Sequence, residues 1–259
     1  MCGIVGILGR HEAAPLLVEA LRRLEYRGYD SAGIATLQNG RLDRRRAVGK
    51  LANLSDALVH DPVRGSSGIG HTRWATHGAP TERNAHPHTG PGVAVVHNGI
   101  IENFRGLRAD LEAEGVVFES DTDTEAIAQL CGTALAGGAS PLEAARATLA
   151  KLDGAFAICL LFEGHDDLMI AARRGSPLAL GYGDGEMFVG SDALALAPLS
   201  NRIAYLEEGD MAVLSRSAVE IFDANGRKVT RAVQEVPTEA FLAEKGHFKH
   251  FMAKEMHEQ

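Results

Sequence analysis

The chain has three cysteines in 259 residues, at unrelated spacings, so no disulfide framework is expected. No run approaches the ~18 consecutive apolar residues of a membrane-spanning helix, so no membrane partner is expected. The N-terminal apolar run is short and has no basic flank before it, so no signal peptide is expected either. Positive charge is scarce: 26 Lys and Arg stand against 34 Asp and Glu, a net charge of −8. That balance argues against nucleic acid as a partner. The one short basic run, Arg44-Arg45-Arg46, follows a turn signal at Asn39-Gly40 and reads as a solvated strand end. The apolar fraction is 45%, enough for the full core of one large domain or two small ones. A reducing cytoplasm is the compartment in which a working free thiol is expected.

Residues 2–8 read as a short buried strand, and Ala14, Leu17, Val18, Leu21 and Leu24 then recur at helical spacing up to Gly28. Residues 32–38 and the segment after Asn39-Gly40 read as a hairpin. Leu51, Leu54, Leu58 and Val59 mark a second helix, closed by Asp61-Pro62. Two strands, around Ile69 and Val95, flank an irregular stretch at 74–92 with three prolines and three glycines. A loop of that length is usually functional. Thr122 with Glu125 fits a capping box, and Ser140-Pro141 with Glu143 opens another helix by the same logic. Cys131 falls on the apolar face of the first of these helices and Cys159 in a buried strand, both as core residues. From 154 onward short strands dominate, separated by turns such as Asp223-Ala224-Asn225-Gly226. This order predicts two packed sheets covered by helices. Residues 238–259 are polar and weakly periodic, and read as an extension leaving the domain.

Cys2 follows the initiator methionine, and removal of Met1 would leave a thiol and a free α-amine on one residue. A free thiol titrates near ~8.5 and an α-amine near ~7.7–8.0, so the amine can move the proton that the thiol must lose. Position alone favours a small buried hydrophobe at a strand start. Three polar segments reverse that reading: His71-Thr72-Arg73-Trp74-Ala75-Thr76-His77-Gly78, with the only tryptophan of the chain, His97-Asn98-Gly99, and Ser120-Asp121-Thr122-Asp123-Thr124-Glu125. Together they suit hydrolysis of an amide carried by an amino acid. The Asn98 side-chain amide and the Gly99 backbone N–H could hold a tetrahedral oxyanion. Arg73 offers a planar bidentate donor to an α-carboxylate, and Asp123 or Asp121 a carboxylate to an α-ammonium. Each has a plainer reading: Asn98-Gly99 as a turn, Asp123 as a first-turn acid, Arg73 as a surface ion pair. His86-Pro87-His88 invites a metal reading, but residues two apart share no helix face and no further ligand stands at a supporting spacing, so no metal is expected. His71, His77 and His97 read as hydrogen-bonding groups.

These segments resemble the N-terminal glutaminase domains of the glucosamine-6-phosphate synthase family, which are class II glutamine amidotransferases. The matching residues are CGIVG at 2–6, LEYRGYDSAG at 24–33, HTRWATHG at 71–78, NAHPH at 84–88, HNGIIEN at 97–103, SDTDTE at 120–125 and GSDALAL at 190–196. The resemblance implies an α+β fold, a four-layer α/β/β/α sandwich of the N-terminal-nucleophile hydrolase type, over residues 1–237. It implies Cys2 as nucleophile with its freed amine as base, and Asn98 and Gly99 as oxyanion hole. Arg73 and Asp123 would grip the L-glutamine head group, Trp74, Thr76 and His77 would belong to a loop closing over it, and Arg27 would steady the site. Glutamate and ammonia would form through a γ-glutamyl thioester, with no cofactor. Residues 238–259 resemble a connector toward a sugar-phosphate isomerase region, where ammonia converts fructose 6-phosphate to glucosamine 6-phosphate. The full-length protein is expected to be a homo-oligomer. Two alternatives stand beside this: a Cys2 hydrolase of some other amide, and a silent glutamine-binding or thiol-sensing module.

Overall fold

In a computed structural model, residues 2–75 and 78–236 are described. The expected connector at 238–259 lies outside the described residues, as do Met1, Thr76 and His77. Strand β1 (Gly3–Leu8) is buried along its whole length because its two faces enter different cores. Ile4 and Leu8 pack with Ala94, Val96, Cys159 and Leu161. Val5 and Ile7 pack instead on Leu17 and Leu21 of α1 (Ala13–Arg22). Side chains alternate across a strand, so one buried strand separates a sheet–sheet core from a sheet–helix core.

The remaining elements are β2 (Ser31–Gln38), β3 (Arg41–Val48), α2 (Leu51–His60), β4 (Ser67–Arg73), β5 (His88–Gly90), β6 (Val93–Ile101), α3 (Phe104–Ala113), α4 (Asp123–Ala136), α5 (Pro141–Lys151), β7 (Gly154–Phe162), β8 (Met169–Arg174), β9 (Ala179–Tyr182), β10 (Met187–Gly190), α6 (Ala193–Leu196), β11 (Arg202–Tyr205), β12 (Met211–Leu214), β13 (Val219–Phe222), β14 (Lys228–Val229) and β15 (Gln234–Glu235). One sheet has the order β15-β11-β9-β10-β1-β4-β2-β3 and the other β14-β13-β12-β8-β7-β6-β5. Helices α1 and α2 cover the first sheet through Leu17, Leu21, Leu51 and Leu54. Helices α4 and α5 cover the second through Ile127, Cys131, Ala144 and Ala145, against Val93 and Val95. The result is the four-layer α/β/β/α sandwich. No helix among the described residues is long and apolar enough to cross a membrane.

Local chemistry explains several joints. Asn39 (φ 52°) and Gly40 (φ 76°) form the two-residue turn between β2 and β3, both in the left-handed region that a type I′ turn requires. Ser140 caps α5 in a full capping box with Glu143, with Pro141 in the first turn. The expected box at Thr122 is not made. Glu125 turns back to accept from Glu119 N, Ser120 N and Ser120 Oγ at 2.8, 2.6 and 2.6 Å. A buried carboxylate thus fixes the turn ahead of α4, because three donors there outweigh one helix-end N–H. The arginine run is also not the solvated strand end its charge suggests. Arg44 donates to Pro87 O and Thr89 Oγ1, and Arg46 to Arg83 O and Ala85 O. Two side chains on one face of β3 clamp the 83–89 segment, and burial with the neighbouring Arg44 charge lowers the Arg46 pKa to about 10.

Candidate active site

Cys2 stands at the head of β1, which lies between β10 and β4 in the middle of its sheet. Reciprocal bonds to Ser191 hold the strand in place, Ile4 N to Ser191 Oγ and Ser191 N to Ile4 O, both 3.0 Å. A Cβ on Gly3 would lie 2.7 Å from Leu24 Cβ and Thr72 Oγ1, so only glycine follows the cysteine without a shift. The half-buried thiol accepts from Trp74 N at 3.2 Å. Burial raises its pKa, against the Trp74 N–H and the Arg73 charge, which lower it. At neutral pH the sulfur is therefore a thiol that needs a base.

The segment bearing Trp74 is set by Asp30, whose N–H donates to Arg73 O at 3.0 Å and whose carboxylate accepts from Ala75 N at 2.8 Å. Gly28 lets the two segments cross, because a Cβ there would lie 2.7 Å from the Arg73 carbonyl carbon. Trp74 is 41% exposed and its ring meets Tyr29 edge-on.

Asn98 and Gly99 come from the other sheet. Strand β5 pairs with β6 only from Val93 to Val95, so beyond that point β6 has an uncovered edge that faces the site. Asn98 Nδ2 donates to the Cys2 carbonyl at 3.0 Å, bridging the two sheets at the nucleophile. Asn98-Gly99 is not a turn: both residues pair with β7 inside the strand. Gly99 has φ 126°, and a Cβ there would lie 2.0 Å from Ala155 O, so no other residue fits.

Arg73 is 3% exposed at the end of β4, donating to Gly78 O and Ala79 O at 3.2 and 3.3 Å. Burial lowers its pKa, and the nearby Cys2, Asp30 and Asp123 oppose that shift. Asp123 opens α4, where one carboxylate oxygen accepts from Ile101 N at 2.9 Å. Position distinguishes Asp123 from Asp121. Asp123 lines the cleft, whereas the exposed Asp121 is held outside it by Arg83 and Asn84. Arg27 lines the cleft too, latched to Asp192, the N-cap of α6. The cleft holds about 360 Å³ and brings together Cys2, Arg27, Arg73, Trp74, Asn98, Gly99 and Asp123. Thr76 and His77, the other residues expected here, lie outside the described residues.

Beneath the cleft lies a layer of buried histidines. His86 Nε2 and His97 Nδ1 both meet Thr124 Oγ1, at 2.8 and 3.0 Å, and His88 Nε2 meets Thr122 Oγ1 at 3.0 Å. Burial holds the pKa values of His86 and His88 far below the ordinary histidine value, so both rings are neutral. Sequence reasoning gave no role to Thr124, Ser176, Pro177 or Ser191, which also line the cleft. Ser191 lies in the matched GSDALAL segment and could have been found there. Ser176-Pro177 sits in an ordinary turn after β8 and carries no such signal.

The description "Glutamine amidotransferase domain" matches residues 71–198 of the chain. Among solved structures, glutamine phosphoribosylpyrophosphate amidotransferase from B. subtilis, complexed with ADP and GMP, superposes with a TM-score of 0.74 at 26% identity, over 86% of this chain and 49% of that one. A glutamine aminotransferase class-II domain protein from Silicibacter pomeroyi shares the fold alone, with a TM-score of 0.54 at 15% identity over 86% and 99% of the two chains. With the layered fold and Cys2 in the cleft, the chain belongs to the class II glutamine amidotransferases, enzymes that release the amide nitrogen of glutamine as ammonia. More narrowly, it corresponds to the N-terminal, glutaminase portion of the glutamine–fructose-6-phosphate aminotransferases (isomerizing). It is 63% identical to that of Brucella suis and 57% to that of Caulobacter vibrioides, in each case over the whole of this chain and 43% of the relative. The chain thus spans less than half the length of these curated relatives.

Proposed function

We propose that Cys2, once Met1 is removed, attacks the carboxamide carbon of L-glutamine. The freed α-amine takes the thiol proton as the C–S bond forms. The resulting oxyanion is held by Asn98 Nδ2–H and Gly99 N–H. As the C–N bond breaks, the amine returns the proton to the leaving nitrogen, giving ammonia and a γ-glutamyl thioester. Water, deprotonated by the same amine, attacks the thioester and releases glutamate and the thiol. Arg73 binds the α-carboxylate and Asp123 the α-ammonium, while Trp74, Thr76 and His77 cover the ligand and Arg27 steadies the wall. In the longer protein, residues 1–237 are the glutaminase domain and 238–259 the connector to the part that turns fructose 6-phosphate into glucosamine 6-phosphate. That protein is a cytoplasmic homo-oligomer.

The observation that carries this reading is the Asn98 amide 3.0 Å from the Cys2 carbonyl, in a cleft that also holds Arg73 and Asp123. A Cys2 hydrolase of simple acyl amides would leave that guanidinium–carboxylate pair without a task. The test is mass spectrometry after labelling with the glutamine analogue diazo-oxo-norleucine. One adduct on Cys2, suppressed by glutamine, is the expected result, and labelling elsewhere, or labelling indifferent to glutamine, overturns the assignment.

Two substitutions separate binding from chemistry. Asn98→Ala should lower kcat by about 10²–10³ with little change in KM, since an oxyanion donor acts chiefly in the transition state. Arg73→Ala should raise KM at least ~10-fold, because a charged hydrogen bond contributes ~1.5–3 kcal/mol to ground and transition states alike. Steady-state ammonia release reads both. An Arg73→Ala chain with unchanged KM would remove Arg73 from the carboxylate role.

A further inference from the structure

His71 is fully buried on β4, in the sheet of the nucleophile, yet its ring reaches the oxyanion strand of the other sheet. Its Nε2 lies 3.1 Å from His97 O and 3.0 Å from Asn98 Oδ1. A backbone carbonyl can only accept, so the proton of His71 stands on Nε2. A protonated Nε2 in turn requires that the Asn98 atom facing it be the oxygen. The opposite end of that amide meets another carbonyl, Cys2 O, which requires the NH₂ group. Two backbone carbonyls, one in each sheet, therefore fix the orientation of the whole chain of bonds. His71 Nδ1 has no partner among the described residues, which agrees with its being the bare nitrogen. The ring is held flat against His86, 4.0 Å away at an interplanar angle of 22°. Burial lowers the His71 pKa to about 3, with Asn98 opposing and His97 adding to the shift, so the ring stays neutral through the physiological range.

We propose that His71 is a positioning residue for the oxyanion hole: its Nε2–H locks the Asn98 side-chain amide with Nδ2 toward the nucleophile. The inference rests on the oxyanion role proposed for Asn98. An asparagine amide rotated by half a turn would present a lone pair to a developing negative charge. The orientation thus decides whether the group stabilises or opposes the tetrahedral state. One Nδ2 hydrogen is taken by Cys2 O, and the second is left for the substrate oxygen.

The test is a kinetic cycle in the chain with a free Cys2 amine, with 15N NMR of the unsubstituted chain beside it. His71→Phe keeps a flat ring and removes the donor. It should lower kcat by about 10- to 100-fold, less than loss of the Asn98 donor itself, and leave KM for glutamine within ~3-fold. His71→Gln, whose amide nitrogen reaches the Nε2 position, should restore kcat to within a few-fold. In the Asn98→Ala background, His71→Phe should cost almost nothing more, because the group it orients is gone. A full further loss in that background overturns the positioning role and leaves the Asn98 assignment standing. An Asn98→Ala chain with normal kcat removes that assignment and the inference with it. Should His71→Phe fail to fold, the NMR arm decides: a His71 ring in the Nε2–H form, unchanged between roughly pH 5 and 9, supports the lock. An Nδ1–H tautomer, or a ring that titrates in that range, overturns it.

Discussion

Cys2→Ala should lower glutaminase turnover by roughly 10⁴-fold or more while leaving glutamine binding within a few-fold of the parent. Removing the nucleophile of a comparable covalent hydrolase costs up to about 10⁶ in kcat. The remaining groups would still bind and polarise the amide, so a small background rate persists. Affinity should survive because, among the described residues, the sulfur hydrogen-bonds with the Trp74 backbone, and no head-group contact is assigned to it. Arg73 and Asp123 are anchored independently of it, by the carbonyls of Gly78 and Ala79 and by the N–H of Ile101. Calorimetry of glutamine binding and an ammonia assay on the same preparation read the two effects. Retained turnover in Cys2→Ala would discard the thioester route. A parent that binds glutamine but releases no ammonia would favour the silent binding module.

Much of this molecule was legible because its strands state their environment. A run such as residues 2–8 is apolar at every position, which suits a strand buried on both faces. The turn at Asn39-Gly40 and the box at Ser140 were legible because each rests on local backbone needs. Helix α3 was not, although Phe104, Leu107 and Leu111 recur at helical spacing: the stripe is only three residues wide, and of the ten residues only Leu111 is buried, with Phe104 and Leu107 partly buried at the edge of the core. The arginine run misled because charge usually marks solvent, whereas here loop carbonyls from residues 83–89 receive the guanidinium donors. Asn98-Gly99 carries a turn signature, but a positive φ also serves a strand that must pass within 2.0 Å of a carbonyl from the Cβ position. At the site, residue types and spacing identified Cys2, Arg73 and Asn98 as candidates. They could not separate Asp123 from Asp121, two residues apart, because that distinction depends on which carboxylate the start of α4 turns toward the cleft.

A chain that retains Met1 should be nearly inactive, by about 10²–10⁴ in kcat/KM, even with every side chain of the cleft intact. With Met1 in place the nitrogen of Cys2 is an amide, which is not basic at any working pH. Burial has already raised the thiol pKa, so little thiolate forms without help. His71, His86 and His88 offer no substitute base. His71 has a pKa near 3 and gives its Nε2 proton to two oxygens, while His86 and His88 sit far below their ordinary values and are bonded to Thr124 and Thr122. Proton transfer from the sulfur is assigned in the proposed mechanism to the group that removal of Met1 creates. The sign of the pH dependence follows. The amine works in its neutral form, so kcat/KM should rise with pH toward a plateau above the α-amine range, ~7.7–8.0. Intact-mass analysis of fractions separated by activity is the measurement. Activity should track the Met1-free mass, and a preparation that turns over glutamine at the full rate with Met1 attached would require a different base.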